Sequence, residues 1–543
     1  SSPISKPVYT KFSNHTEKVS KDNIKDTSDS FKMFWFDYAE AENSLLLFGK
    51  IMTKEGKLVS GVVKVDGICR ELFFLPREYR IVDDEEDKSK KLTAIDVLEE
   101  IQPLLLANYN LEELRAKPEV KKYAFELADI PKEAEYLKVL LPFNNETNRN
   151  IMPANIEGST FRHVFGTNAN MFESFVMQRN IMGPCWLEIR GGDFDAMQNA
   201  SHCQVEVVVD RPSQISTIDK DAPSSPNLTV TAISMQTMLN AKTNKQEVVS
   251  VSLATYFDLP QDAPISEDIK PDDVFTLARP VGSVSFPPRL QQLAEKGGFQ
   301  LRTCPSEKVL LNALAAKIKS LDPDVFIGHR LENISLDVLV HRLNDNNVVT
   351  WSALGRRNRR QWPYMINKSN SSYNNSLLIR DVFQGRLLCD IANEMGQSLT
   401  MKCQSWDLHE MYDVVCHKKH SPVEINYQNL KYAEDAHLFL MALKENELNV
   451  KQTAEIAFAT QILSLSKQLT NIAGNAWSHT LSGTRAGRNE YILLHEFKRN
   501  NYIVPDKEDK THKNTSYQQE ARVENAEEDA TTATSNKKPK YQG

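Results

Sequence analysis

The stretch FIGHRLENISLDVLVHRL from Phe326 to Leu343 constrains this chain more tightly than any other, because three kinds of local structure follow one another in it without a spare residue. Val325, Phe326 and Ile327 come straight after the turn residues Asp322-Pro323-Asp324 and predict a short buried strand. Leu336, Leu339, Val340 and Leu343 then recur at i, i+3, i+4 and i+7, on one face of a helix. Gly328-His329 makes the turn between them, and Asn333 or Ser335 has the side chain to cap the helix. The architecture is strand, loop, helix.

At 543 residues the chain is too long for one core and calls for about three folded units. Its 65 Lys and Arg against 72 Asp and Glu leave a net charge of −7, so any contact with nucleic acid must be local. The seven cysteines (69, 185, 203, 304, 389, 403, 416) form no CxxC pair, which argues against a zinc site or a disulfide framework and fits a reducing compartment. No run approaches the ~18 apolar residues of a membrane span, and the Ser/Lys/Thr-rich start lacks a hydrophobic signal core. A soluble, intracellular protein is expected.

Residues 1–30 read as a flexible lead-in. Phe34-Trp35-Phe36, Ser44 to Ile51, Leu58 to Val65 and Glu71 to Leu75 then predict a β-meander. The acidic run Asp83 to Asp87 reads as a solvated loop, and Thr93 to Ile101 as a helix stopped by Pro103. A second β-rich piece runs from Tyr136 to Val209; its His163 and Cys185 lack a partner at metal spacing and read as packed structural residues. After the linker-like Asp219 to Pro226, Thr229 to Thr237 and Glu247 to Tyr256 form a hairpin across the polar turn Asn240 to Lys245. Leu311, Leu314, Ile318 and Leu321 mark a helix before the Phe326 strand. Leu387 to Asp390 reads as another buried strand, Leu430 to Leu443 as a helix with Tyr432, Ala436, Phe439, Leu440 and Leu443 inward, and Ile456 to Ala473 and Arg488 to Phe497 as further helices. Pro505 to Lys538 has the composition of a disordered insertion.

Three motifs give the chain a family likeness. FGTN at Phe165–Asn168, GPCWL at Gly183–Leu187 and RNEYILLHEF at Arg488–Phe497 resemble the family B DNA polymerases, and within them the catalytic subunits of the eukaryotic alpha type. The resemblance implies a mixed α/β (α+β) fold: a β-rich N-terminal domain and an RNase H-like 3′-5′ exonuclease-type domain, with palm, fingers and thumb absent. The corresponding divisions are a lead-in (1–30), an N-terminal domain (31–225), an exonuclease-like domain (226–445), a helical segment leading to the palm (446–505) and an acidic linker (506–543) that ends inside a Tyr-x-Gly-Gly element.

In that family the nuclease needs four carboxylates and a tyrosine. An Asp-x-Glu pair on the first strand puts two carboxylates on one face, where they share metal. The positions here are Ser234 and Gln236, and the next strand offers no displaced pair. The second motif, Gly-His-Asn followed by an Asp, is met by Gly328 and His329 but then by Arg330 and Ser335. The third, Tyr-x3-Asp, retains Asp435 with Lys431 in place of the tyrosine. Mg²⁺ is a hard cation that prefers anionic oxygen, so a lone carboxylate is expected to leave the site without metal and without catalytic residues. On the nucleic-acid side, Arg356, Arg357, Arg359 and Arg360 cluster between Trp351 and Trp362. They read either as a contact to template phosphates and an unpaired base or as a solvated loop, and the resemblance favours the contact. Tyr541 and Gly543, from the Tyr-x-Gly-Gly element, complete the expected DNA-contacting set.

The resemblance further implies a parent enzyme that extends RNA primers with deoxynucleotides. It would use Mg²⁺ in the missing palm and work in the nucleus with DNA template, RNA–DNA primer, primase and an accessory B subunit. Two other readings stand beside it. An active 3′-5′ exonuclease would need acids at 234, 236 and 335, and a polymerase-like scaffold would need a palm without its aspartates.

Overall fold

A computed structural model describes residues 17–507, apart from 145–146, 148–151, 283–284, 369–371 and 484. Contacts divide the chain into two compact units, each assembled from separated stretches: Ser1–Arg70, Leu141–Arg149 and Asn170–Asn501 in the first, Glu71–Leu140, Asn150–Ala169 and Tyr502–Gly543 in the second. The linear boundary expected near residue 225 runs through the interior of the first unit.

Two six-stranded sheets organise the first unit. In one, Ser30–Ala41, Ser44–Met52 and Leu58–Val65 form the expected antiparallel meander. The fourth strand, Cys69–Pro76, does not join it. Val205–Val209 lies parallel on the free edge of Leu58–Val65, and Cys69–Pro76 pairs instead with Phe161–Phe165 in another sheet. Phe34 and Phe36 face one core and Trp35 another, each at most 1% exposed, which is why three consecutive aromatics are tolerated in one strand.

The other sheet has the order Leu301–Thr303, Asp273–Ala278, Lys245–Leu259, Leu228–Asn240, Val325–Gly328, Leu387–Asp390. Leu228–Asn240 and Lys245–Leu259 form the expected hairpin. Val325–Gly328 runs parallel to both of its neighbours. Covered on both faces, such a strand must be apolar at every position, and its four residues are all buried. The helices Glu307–Leu321 and Leu336–Asp345 cover one face through Leu311, Leu314, Ile318, Leu321, Leu336, Leu339, Val340 and Leu343. The helix Ala436–Thr460 lies against the other, with Val450, Ala454 and Ala457 packed among Val230, Ala232 and Ala254.

Several expectations need correction. Within the lead-in, Ile24 and Lys25 are buried, and Lys18 pairs with Glu206 at 3.1 Å; residues 1–16 lie outside the described residues. The helix expected from Leu430 to Leu443 is interrupted at Asp435, whose backbone is extended, and then runs on to Thr460. Tyr432, Ala436, Phe439, Leu440 and Leu443 are nevertheless all buried, as the spacing predicts. Neither Asn333 nor Ser335 caps the Leu336 helix: a single π-helical turn, Leu331–Ser335, leads into it and Ser335 is already helical.

The second unit carries the sheet Arg115–Lys122, Glu133–Pro142, Cys69–Pro76, Phe161–Phe165 and a separate hairpin, Tyr79–Val82 with Glu85–Lys91, whose tip holds the exposed acidic run. Its helix Ala94–Asn108 passes through Pro103 instead of stopping there. Asp96 closes a capping box with Thr93, and burial of Val97, Ile101 and Leu105 offsets the roughly 3 kcal/mol that a proline costs inside a helix.

Candidate functional site

Ser234 and Gln236 alternate onto the face of the sheet that meets the helix Ala436–Thr460. Directly across the hairpin stand Ser252 and Ser250, and across the next strand pair Thr276 faces Ser252. This row of neutral polar groups is plugged by Asn446, which is 1% exposed. Its side-chain oxygen accepts from Ser234 Oγ at 2.8 Å, while its amide nitrogen reaches the Ser234 carbonyl (3.1 Å), Ser252 Oγ (3.2 Å) and Ser250 Oγ (3.3 Å). Gln236 donates to the Ala442 carbonyl at 2.8 Å and accepts from Ser250 Oγ at 2.7 Å and from the Tyr427 hydroxyl. Every polar atom that these two side chains carry is therefore engaged with protein.

The two remaining motif positions do other work. Asp435 is exposed, and its carboxylate caps the Ala436–Thr460 helix by accepting from the His437 and Leu438 N–H groups at 3.0 and 3.2 Å. Gln236 meets that helix at Ala442, seven residues on, which at 1.5 Å per residue is about 10 Å along the axis from Asp435. Ser335 lies half-buried at the junction of the π turn and its helix. A carboxylate that the motif count overlooked, Asp390, ends the strand Leu387–Asp390 and accepts from Arg330, Leu331 and Ala392 N–H at 3.0, 2.9 and 2.9 Å. Burial pushes its carboxyl up against the pull of those donors. It ties down the entry to the π turn.

The arginine cluster is not the open patch that its composition predicts. Arg356 is fully buried and bonds Asp324 at 2.8 Å and Asp322 at 3.2 Å. Lys50 adds an ion pair to Asp324 at 2.9 Å, and Arg386 one to Asp322 at 2.6 Å. Burial opposes ionisation of Asp322, but Arg356, Arg386 and Lys50 together hold its carboxyl well below the usual carboxylate range. Arg357 bonds Gln384 at 3.0 Å and Arg359 pairs with Asp381 at 2.5 Å. Trp351 is buried and stacks on Trp362 with 4.2 Å between ring centroids, so its indole is not offered to a base. Arg356 cannot touch a template without unfolding this region, and of the four arginines only Arg360 is exposed. Tyr541 and Gly543 lie outside the described residues. His163 pairs with Asp129 at 2.7 Å, and burial pushes the Cys185 thiol up to about 11.

Residues 162–411 match the exonuclease domain of DNA polymerase family B. Over 528 residues, 97% of its length, the chain is 51% identical to the DNA polymerase alpha catalytic subunit of Saccharomyces cerevisiae. The chain matches the N-terminal and exonuclease region of the DNA polymerase alpha catalytic subunits. The Xenopus laevis subunit is 34% identical over 490 residues and 89% of this chain. The chain spans about a third of these relatives, 34% and 32% of their respective lengths. In fold it resembles the family B DNA polymerase of the archaeon Pyrobaculum calidifontis, with a TM-score of 0.57 at 13% identity, covering 88% of this chain and 52% of the other.

A family B exonuclease fold implies a metal pair, and the residues present do not fit one. Two Mg²⁺ ions within ~4 Å need several anionic oxygens between them. The donors on the sheet are an alcohol and an amide already engaged with Asn446, Ala442, Ser250 and Tyr427, and the acid is turned to a helix terminus. Among the described residues no group of three or more His, Cys, Asp or Glu side chains is arranged to hold a metal ion. Asn446, Tyr427, Ser250 and Ser252 were not singled out from sequence. The signal that marks two of them is hydroxyls alternating within the otherwise apolar VVSVSLA.

Proposed function

We propose that this chain is the non-catalytic amino-terminal part of a replicative DNA polymerase alpha catalytic subunit, and that its exonuclease domain serves as scaffold for template and palm without proofreading. The observation that carries this reading is the engagement of Ser234 and Gln236 with Asn446 and Tyr427, at the positions where a nuclease would need free carboxylates. The parent enzyme would extend RNA primers with deoxynucleotides through Mg²⁺ chemistry in its palm, in the nucleus, with an accessory subunit, primase and DNA as partners. Of the cluster, Arg360 is the residue we assign to a template phosphate, because it is exposed while Arg356 is buried and Arg357 and Arg359 are half-buried.

The test is to incubate the purified chain with a 5′-labelled primed template, Mg²⁺ or Mn²⁺ and deoxynucleotides. The primer should be neither shortened nor extended. Metal-dependent 3′ trimming would overturn the scaffold reading in favour of an active nuclease.

A further inference from the structure

Tyr502 to Asp506 forms no helix or regular strand, yet the second unit grips it at three points. Tyr502 bridges Lys122 in the parallel sense, and the Ile503 N–H donates to the Lys122 carbonyl at 2.8 Å, so the segment adds to the edge of the strand Arg115–Lys122. Strand addition of this kind supplies affinity through the main chain and selectivity through side-chain pockets. Ile503, 1% exposed, fills such a pocket among Leu75, Tyr123, Ile130, Tyr136 and Phe165.

Three residues on, the Asp506 carboxylate enters the turn Gly166–Asn168. It accepts from the Gly166 N–H at 2.9 Å, the Thr167 N–H at 3.1 Å and Thr167 Oγ at 2.7 Å, while the Asn168 amide holds the Lys507 carbonyl at 2.7 Å. Gly166 makes this possible: its φ is +90°, and a Cβ there would come within 2.1 Å of the Glu71 carbonyl oxygen. FGTN, one of the motifs that carry the family likeness, thus serves here as a receptor turn for a carboxyl group.

We propose that the second unit carries a recognition site for an extended peptide bearing isoleucine three residues before aspartate, and that the chain's own Tyr502–Asp506 fills this site in cis. The edge of Lys122, the aromatic pocket and the Gly166–Asn168 turn contribute separately, so the segment docks as a ligand does.

A full chain with a specific protease site inserted between Asn500 and Asn501 tests this. After cleavage the 501–543 fragment should co-elute with the remainder on gel filtration. A synthetic peptide of residues 500–508 should displace it at concentrations at least about tenfold lower than the same peptide carrying Asp506→Ala or Ile503→Asp. Loss of the fragment on cleavage alone, or equal displacement by all three peptides, would overturn the proposal.

Discussion

Arg356 is the residue whose replacement separates the two accounts of the arginine cluster most cleanly. Arg356→Met keeps much of the side-chain volume and removes the charge. The change takes one cation away from Asp322 and Asp324, leaving Arg386 and Lys50 to face them, and it frees the Gly385 and Asp322 carbonyls that the guanidinium holds at 3.2 Å. Breaking a buried ion pair from one side costs about 3–5 kcal/mol, and no solvent screens this pair, since Arg356 and Asp324 are both 0% exposed. That is a large part of the ~5–15 kcal/mol that holds a domain folded. Urea denaturation followed by tryptophan fluorescence should therefore show a markedly lower midpoint for Arg356→Met, whereas exposed Arg360→Met should stay within ~0.5 kcal/mol of the parent. Single-stranded DNA binding measured against salt should respond in the opposite order, with a shallower slope for the Arg360 variant. If Arg356→Met unfolded at the parental midpoint and bound DNA more weakly, the reasoning from burial would be refuted.

Asn446→Ala removes the plug that joins the polar row to the helix, and it should destabilise the first unit by about 2–4 kcal/mol, because buried hydroxyls lose their partners; an unchanged melting temperature would contradict this. Restoring acids with Ser234→Asp, Gln236→Glu and Ser335→Asp together should yield a less stable protein with no 3′ trimming in Mn²⁺, since Asp435 still caps its helix; appearance of trimming would show that the fold needs only its charges back. Burial pushes the Asp37 carboxyl up to about 7 in the folded chain. A raised acid favours the folded state below its unfolded pKa and loses that contribution as pH climbs through the folded value. Asp37→Asn should therefore gain on the parent by ~2 kcal/mol between pH 5 and pH 8, checked by melting at both, and a constant difference would argue against a buried, titrating Asp37.

Much of the exonuclease sheet was legible because its signals are local. Val325–Gly328 announces itself as an unbroken apolar run, the hairpin by its polar turn at Asn240–Lys245, and the Leu336 helix by a spacing that depends on no distant residue. The same locality explains the errors. Pro103 ends a helix by propensity, yet Leu105 beyond it is buried and the helix continues. Leu430 to Leu443 carries one apolar stripe, but Asp435 finds two N–H groups to cap, and the backbone breaks there.

Residue types in order along the chain determine which charges are missing: no arrangement of Ser234, Gln236 and Ser335 can supply the carboxylates of a metal pair, and the likeness to polymerase alpha subunits is equally a matter of sequence. Where a charge ends up is another matter. Arg356 and Arg360 are the same residue type four positions apart, and only the approach of Asp322, Asp324 and Gly385 makes one a buried strut and leaves the other in solvent. Burial and pairing are set by segments distant in sequence, so they exist only once the chain has folded.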